Sequence, residues 1–212
     1  MLGQRVFEKV FPRALRGDNV REKAAKGGRI LERIETKILF RNPWHAYRRD
    51  RVLRRDGSEG DYFYVDHPSS VAVIGTFRDG TVLVQRTFRY LFGRWLPQVV
   101  LGHTRPEEDQ MEEARRELRE ETGFLAEELV HLGDFTPYSG VSNEVCHVFL
   151  ARDLREVGAD PEPTEEMEVL RLPREEARSF LLSGPLLDGQ SLSAWALYEA
   201  WLEGAAGERR RE

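Results

Sequence analysis

The chain has 212 residues, 40% of them apolar and 33% charged, with a net charge of −5 at neutral pH. That balance describes a soluble protein long enough to bury a real core, as one large domain or one domain with an added arm. A single cysteine, Cys146, excludes an internal disulfide framework and points to a reducing compartment, and with no apolar run long enough for a membrane span or a signal peptide the expectation is the cytoplasm.

The charge is uneven along the chain. Residues 1–60 carry sixteen Lys or Arg against eight Asp or Glu, so the remainder carries a surplus of acid. A basic arm of this kind can meet phosphate or nucleic acid. Here apolar residues interrupt the charges and no nucleic-acid module is recognisable. A docking surface for a partner subunit with an acidic face is the better expectation, and no nucleic-acid partner is expected.

In chain order, residues 1–37 mix short amphipathic patterns with Gly and Pro and read as helical or irregular pieces. Val6, Val10 and Phe11, then Ile30, Leu31 and Ile34, are candidate docking stripes. Residues 38–65 carry a hairpin pattern around the turn-forming run RDGSEGD. Residues 71–77 read as a strand, Asp79-Gly80 as a tight turn, and residues 82–86 as the partner strand. A loop follows. A helix is expected over 107–122, then strands over 130–135, 145–151 and 167–172, and helices over 173–182 and 191–203. The tail from 206 is charged and expected to fray. Strands on either side of a central helix, with a helix to close, favour a mixed sheet with helices on both faces.

The helix over 107–122 carries the chemistry. Pro106 suits a first helical turn, Glu107, Glu108 and Asp109 favour the positive end of the macrodipole, and Gly123 is a ready stop. Met111, Ala114 and Leu118 form an apolar stripe. Glu117 and Glu121 lie one above the other on another face, with Glu113 and Glu120 near the same column. Carboxylates gathered on one face repel each other unless something neutralises them. Hard divalent cations take oxygen ligands and sit between carboxylates and substrate phosphates. A charge run is more often only a solvated face, but here glycines bracket it at fixed spacing.

Gly102, Glu108, Arg116, Glu117, Leu118, Glu120, Glu121, Gly123 and Phe124 fill every fixed position of G-x5-E-x7-R-E-U-x-E-E-x-G-U, where U is bulky and apolar. The stretch resembles the signature of the Nudix hydrolases, which cleave a nucleoside diphosphate linked to another moiety. The resemblance extends over roughly residues 40–205. It implies an α+β fold, the Nudix α/β/α sandwich with a mixed sheet, here with an N-terminal extension over 1–37, a domain over 38–205 and a tail over 206–212.

Three further stretches look like the ADP-ribose pyrophosphatase branch. They are residues 67–95, with the element Arg86-Thr87-Phe88-Arg89, residues 134–154, with Glu144 after a small-residue turn, and residues 167–184. The resemblance implies Mg2+ or Mn2+ as cofactor. It implies Glu117, Glu120 and Glu121 as metal ligands, with the backbone carbonyl of Leu101, and Arg116 orienting a catalytic Glu. Glu144 would be the general base, whose plain alternative is an exposed loop carboxylate. Arg89 and Arg86 would hold phosphate or ribose, and their alternative is a surface pair on a strand end. Phe88, Tyr90 and Tyr138 are candidates to stack on adenine, though core packing is the commoner role; His103 reads as a loop histidine. Related enzymes dimerise through the N-terminal region, so a homodimer is expected, with 38–65 as the dimerisation hairpin and Arg51 and Arg49 reaching substrate.

The branch often carries E-L-P-A-G ending at the box glycine. Here those positions are Gln98, Val99, Val100, Leu101 and Gly102, and Pro97 is out of register by three. An acidic side chain is absent. The expected reaction is hydrolysis of ADP-ribose to AMP and ribose 5-phosphate. The alternatives are a nucleotide sugar, FAD or a dinucleoside polyphosphate as substrate, or a non-catalytic nucleotide binder, in which the carboxylates would be eroded.

Overall fold

The computed structural model describes residues 31–105, 108–158 and 166–209. The described residues divide into two compact units, 31–68 with 136–144 and the remainder from 69 to 135 and from 145 to 209. The expected stripe at Val6, Val10, Phe11 and Ile30 lies outside the described residues.

The first unit is a three-stranded antiparallel sheet in the order β1-β2-β3, made by β1 (Leu31–Arg41), β2 (Ala46–Arg54) and β3 (Glu59–Asp66). The turn between β2 and β3 is closed by Asp56, whose carboxylate accepts from the Ser58 N–H and hydroxyl at 3.0 and 2.6 Å, and by Gly57 at φ +81°. The hairpin is therefore where the turn residues put it. Residues 31–37, expected to be helical or irregular, form the start of β1 and pair with β2. Ile34, Thr36, Ile38 and Phe40 alternate with other residues, and a run of β-branched and aromatic side chains at period two outweighs the weaker helical spacing of Leu31 and Ile34.

The loop 136–144 belongs to this unit and is fastened along β3. Val65 N–H donates to Val141 O at 2.8 Å, His67 N–H to Asn143 Oδ1 at 2.9 Å, Asn143 Nδ2 to Asp66 Oδ1 at 2.7 Å, and the Tyr62 hydroxyl to Gly140 O at 3.1 Å.

The second unit is an α/β/α sandwich. Its main sheet runs β12-β5-β4-β10-β9, from β4 (Ser70–Thr76), β5 (Val82–Arg89), β9 (Glu128–Phe135), β10 (Cys146–Arg152) and β12 (Met167–Leu172). β4 and β10 are parallel and the other pairs antiparallel. A small ladder joins β8 (Phe124–Leu125) to β11 (Arg155–Glu156). β4 and β5 meet only at Gly75↔Leu83 and Thr76↔Val82, next to the Asp79-Gly80 turn, and then diverge. Two strands fill the opening: β6 (Arg94–Gln98) pairs with β5 and β7 (Val100–His103) with β4. This region was expected to be a loop. Its signal is weak because a proline, Pro97, and a glycine, Gly102, interrupt short runs whose partners are distant in sequence.

Side chains alternate across this sheet. Val71, Val73, Leu83, Val100, Phe149 and Ala151 face α1 (Gln110–Thr122), where fully buried Ala114 and Leu118 meet them. Ala72, Ile74, Val82, Val84, Cys146, Val148 and Leu150 pack instead with Ala177 and Leu181 of α2 (Arg174–Leu181) and Ala194, Trp195 and Tyr198 of α3 (Gly189–Arg209). Cys146 is buried there, as packing. Burying a side chain such as Leu118 contributes about 1.5–3 kcal/mol. Met111, expected in the apolar stripe, is 36% exposed. The backbone of α3 stays helical to Arg209, four residues into the tail that was expected to fray.

Candidate active site

The acidic helix begins later than expected. Asp109 is its N-cap, accepting from the N–H groups of Met111 and Glu112 at 2.9 and 3.3 Å, so helical residues start at 110 rather than 107. Pro106 and Glu107 lie outside the described residues, and Glu108 precedes the cap. The other end is as expected: Gly123 takes φ +76° and its N–H closes onto Arg119 O at 2.9 Å.

Arg116 organises the carboxylates. Its Nη2 donates to Glu113 Oε2 at 2.8 Å and to Glu117 Oε1, and its Nη1 donates to Glu120 Oε2 at 2.5 Å. Glu113 is 3% exposed and also pairs with Arg105 at 3.3 Å. Burial works against the Arg116 charge, but the bond to Glu113, the charge of Glu117 and the bond to Glu120 outweigh it, and its pKa is raised. One guanidinium thus gathers three carboxylates from successive turns, and negative charge is left over.

Two contacts from the sheet complete the cluster. Gln85, in the middle of β5, donates from Nε2 to Glu121 Oε2 at 2.9 Å in a buried setting. Its own Oε1 is buried with no hydrogen-bond partner among the described residues. Gly102, on β7, lies under Glu117: a Cβ built there would stand 2.1 Å from both Cγ and Cδ of that side chain. Leu101 precedes it, opposite Ala72 of β4.

The structure therefore brings Arg116, Glu117, Glu120 and Glu121 together beside Gly102 and Leu101. It ties the basic candidates to neighbours. Arg89 Nε donates to Gln98 Oε1 at 2.9 Å, and Gln98 is itself 1% exposed. The amide that stands where the branch carries an acid therefore holds Arg89 in place. Arg86 meets Glu168 of β12 at 3.4 Å and lies over the Trp95 ring. Phe88 packs edge-on to Trp95, whereas Tyr90 and Tyr138 are 88% and 71% exposed.

Glu144 and Arg51 belong to the first unit. The Glu144 carboxylate stands 3.9 Å from His67 Nδ1 and is mostly buried, so it is not the exposed loop carboxylate of the plain alternative. Arg51 pairs with Glu59 at 2.6 Å, and Arg49 approaches Asp61 at 3.9 Å. Sequence reasoning missed Gln85 and Arg105, for neither fills a fixed position of a motif and their contacts follow from how α1 packs.

The donor set suits a hard divalent cation: four carboxylates converge, an amide oxygen is left unbonded next to Glu121, and the guanidinium groups of Arg116 and Arg105 do not balance the charge. Among the described residues no helix is long and apolar enough to cross a membrane.

Comparison with known proteins gives a consistent picture. A family model of the NUDIX domain matches residues 66–189, and one of the nucleoside diphosphate sugar hydrolase N-terminal domain matches residues 32–65. An ADP-ribose pyrophosphatase of Bacillus subtilis is 30% identical over 132 residues, covering 61% of this chain and 71% of that protein. An ADP-ribose pyrophosphatase of Mycobacterium tuberculosis is 29% identical over 183 residues, covering 84% of this chain and 88% of its own length. A solved structure described as an ADP compounds hydrolase superposes with a TM-score of 0.72 over 84% of this chain and 96% of that one. At 20% identity this last likeness speaks for the fold alone.

Proposed function

Because the chain belongs to the Nudix family of hydrolases and is a pyrophosphohydrolase of it, we propose that it cleaves the diphosphate link of ADP-ribose to AMP and ribose 5-phosphate. The observation that carries the reading is the gathering of Glu113, Glu117 and Glu120 on Arg116 with Glu117 laid over Gly102. Mg2+ or Mn2+ is the proposed cofactor, held by Glu117, Glu120 and Glu121 and by the Leu101 carbonyl. Such an ion neutralises phosphate charge and makes a bound water acidic.

The chain's own residues do the rest. Arg116 fixes the directions of three carboxylates, and Gln85 anchors a fourth, Glu121, from the sheet. Arg89 is held through Nε by Gln98, which leaves its planar terminal group to take a phosphate oxygen by charge-assisted bonds. Arg86 and Arg51 are proposed as further contacts to substrate. Glu144 is proposed as the general base that takes the proton of the attacking water, directly or through one intermediary. Support comes from its chemistry and from the fastening of its loop to β3.

A nucleotide sugar is the second substrate reading. It is favoured by the N-terminal match, whose model is named for nucleoside diphosphate sugar hydrolases. A homodimer is also proposed. The first unit carries Ile34, Phe40 and Phe63 on its strands and Trp44 in the turn between β1 and β2 at 52, 60, 46 and 70% exposure, and exposed apolar groups of this size favour an interaction site. Sedimentation at micromolar concentration should give twice the chain mass, and a monomer there would reject the pairing.

The activity test is a panel of ADP-ribose, nucleotide sugars, FAD and dinucleoside polyphosphates with Mg2+ and with Mn2+, read by product identity. AMP released fastest from ADP-ribose supports the first reading. Preference for a nucleotide sugar moves it to the second. Glu117→Gln should slow the reaction at least about a hundredfold, because a metal contributes several kcal/mol to the barrier. An unchanged rate would reject the site.

A further inference from the structure

We infer that β9 and β10 carry a second cation site, made by His131, Asp134 and His147, for a borderline ion of the Zn2+ class. It is separate from the carboxylate cluster in residues and in donor type. One ligand atom from each of the three side chains can be chosen so that all lie within 4.8 Å of one another. Asp134 Oδ1 stands 2.7 Å from His131 Nε2 and 2.7 Å from His147 Nδ1.

A break in strand register builds the group. Residues three apart on a regular strand face opposite ways, so His131 and Asp134 should not meet. Here His147 pairs with Asp134, Val148 with Gly133 and Phe149 with His131, and Leu132 has no counterpart. The extra residue is a bulge, placed at a glycine with φ +147°. Packing confirms the change of phase. Val130, Leu132 and Phe135 join the core on the α2 and α3 side, whereas Leu129 lies on the α1 side. The bulge therefore swings Asp134 onto the face that already holds His131 and His147. Bulges re-aim side chains in this way.

The chemistry selects the ion. Two imidazole nitrogens and one carboxylate oxygen suit Zn2+ and its neighbours in the transition series, whereas Mg2+ prefers oxygen alone. Three protein ligands leave a further position for water. Access is open, because the side chains of His131 and Asp134 are 45 and 47% exposed while His147 is 14% exposed and gives the group a fixed floor. His131 also packs against Phe149, with ring centroids 5.2 Å apart.

Pairing across the sheet places the group relative to the acidic cluster. Asp134 pairs with His147, His147 with Val71, and Val71 with Gly102, the glycine under Glu117. These four positions form one transverse row on the α1 face. His147 and Gly102 are separated by two strand spacings, about 9–10 Å. The two sites are therefore neighbours that share no ligand.

The full chain is titrated with Zn2+ in excess Mg2+, which occupies the oxygen-ligand site, and heat of binding and thermal midpoint are recorded. One Zn2+ per chain and a raised midpoint are expected. His131→Ala and Asp134→Asn should each weaken Zn2+ binding at least about tenfold and abolish the rise. Glu117→Gln should leave both intact. His147→Ala is the riskier variant for folding, so the exposed His131 decides the matter. No Zn2+ uptake in excess Mg2+ overturns the inference. So does uptake that survives His131→Ala and disappears with Glu117→Gln, since the ion would then lie in the carboxylate cluster. Neither readout depends on activity toward any nucleotide.

Discussion

Gly102 and Glu117 occupy the same space to within one methyl group. The glycine on β7 lies so close beneath the glutamate of α1 that a Cβ would fall 2.1 Å from Cγ and Cδ. The backbone and a carboxylate stem are in contact because the glycine has no side chain, which gives the box glycine a physical reason that does not involve its own conformation.

Gly102→Ala should therefore displace the Glu117 carboxylate and leave the fold standing, since the atoms to be moved belong to a side chain. A displacement of about 1 Å at a reacting centre costs on the order of a hundredfold in rate. Turnover with Mg2+ should fall by that amount with the circular dichroism spectrum unchanged. Near-normal turnover would mean that the position of Glu117 does not matter.

Arg116→Ala should be costly to stability. It leaves the nearly buried Glu113 paired, among the described residues, with Arg105, whose side chain is 57% exposed, and removing one partner of a buried pair costs about 3–5 kcal/mol. Urea denaturation measures that loss. Arg116→Lys should recover only part of it, because an ammonium cannot present a planar fork to three carboxylates. Full recovery by lysine would show that charge alone suffices.

Gln85→Leu removes the donor to the buried Glu121 carboxylate and should destabilise the fold by about 1–3 kcal/mol. It should also raise the Mg2+ concentration needed for half-maximal activity, because Glu121 loses its anchor. A Mg2+ dependence identical to wild type would separate Glu121 from the metal.

Acid should weaken the turn between β4 and β5. Hydrogen bonds from the Thr81 hydroxyl and N–H, then Arg171, bring the Asp79 pKa down to about 2 from the usual 3.8. A carboxyl with a lowered folded-state pKa contributes stability that is complete above about pH 4 and is lost as pH falls toward 2. Asp79→Asn should flatten that part of the stability curve measured by thermal melting between pH 4 and pH 2. An identical acid limb in the variant would remove Asp79 from the account.

The acidic helix was legible because its information is local: a spacing of three and four residues, a glycine stop and a run of carboxylates all act within one helix. Even there, the start was misjudged, since Asp109 captures the first N–H groups and the capping bond outweighs the charge pattern upstream. What stayed hidden depends on who pairs with whom. The strands β6 and β7 exist because β4 and β5 diverge, which nothing in their own residues announces. Gln85 looks like any polar residue in a strand until α1 packs above it. His131, Asp134 and His147 carry no signature at their spacing, since a regular strand would set His131 and Asp134 on opposite faces.

The loop 136–144 leaves the main sheet at Phe135 and returns at Cys146, and those two residues are themselves partners across β9 and β10. The rungs of this ladder therefore do not depend on the loop, which is held instead by its own bonds to β3. Glu144 rides on that separately fastened stretch, whereas Glu117, Glu120 and Glu121 are built into a capped helix. The acidic helix and the Glu144 loop are therefore anchored by separate sets of bonds, so a change in one set leaves the bonds of the other in place.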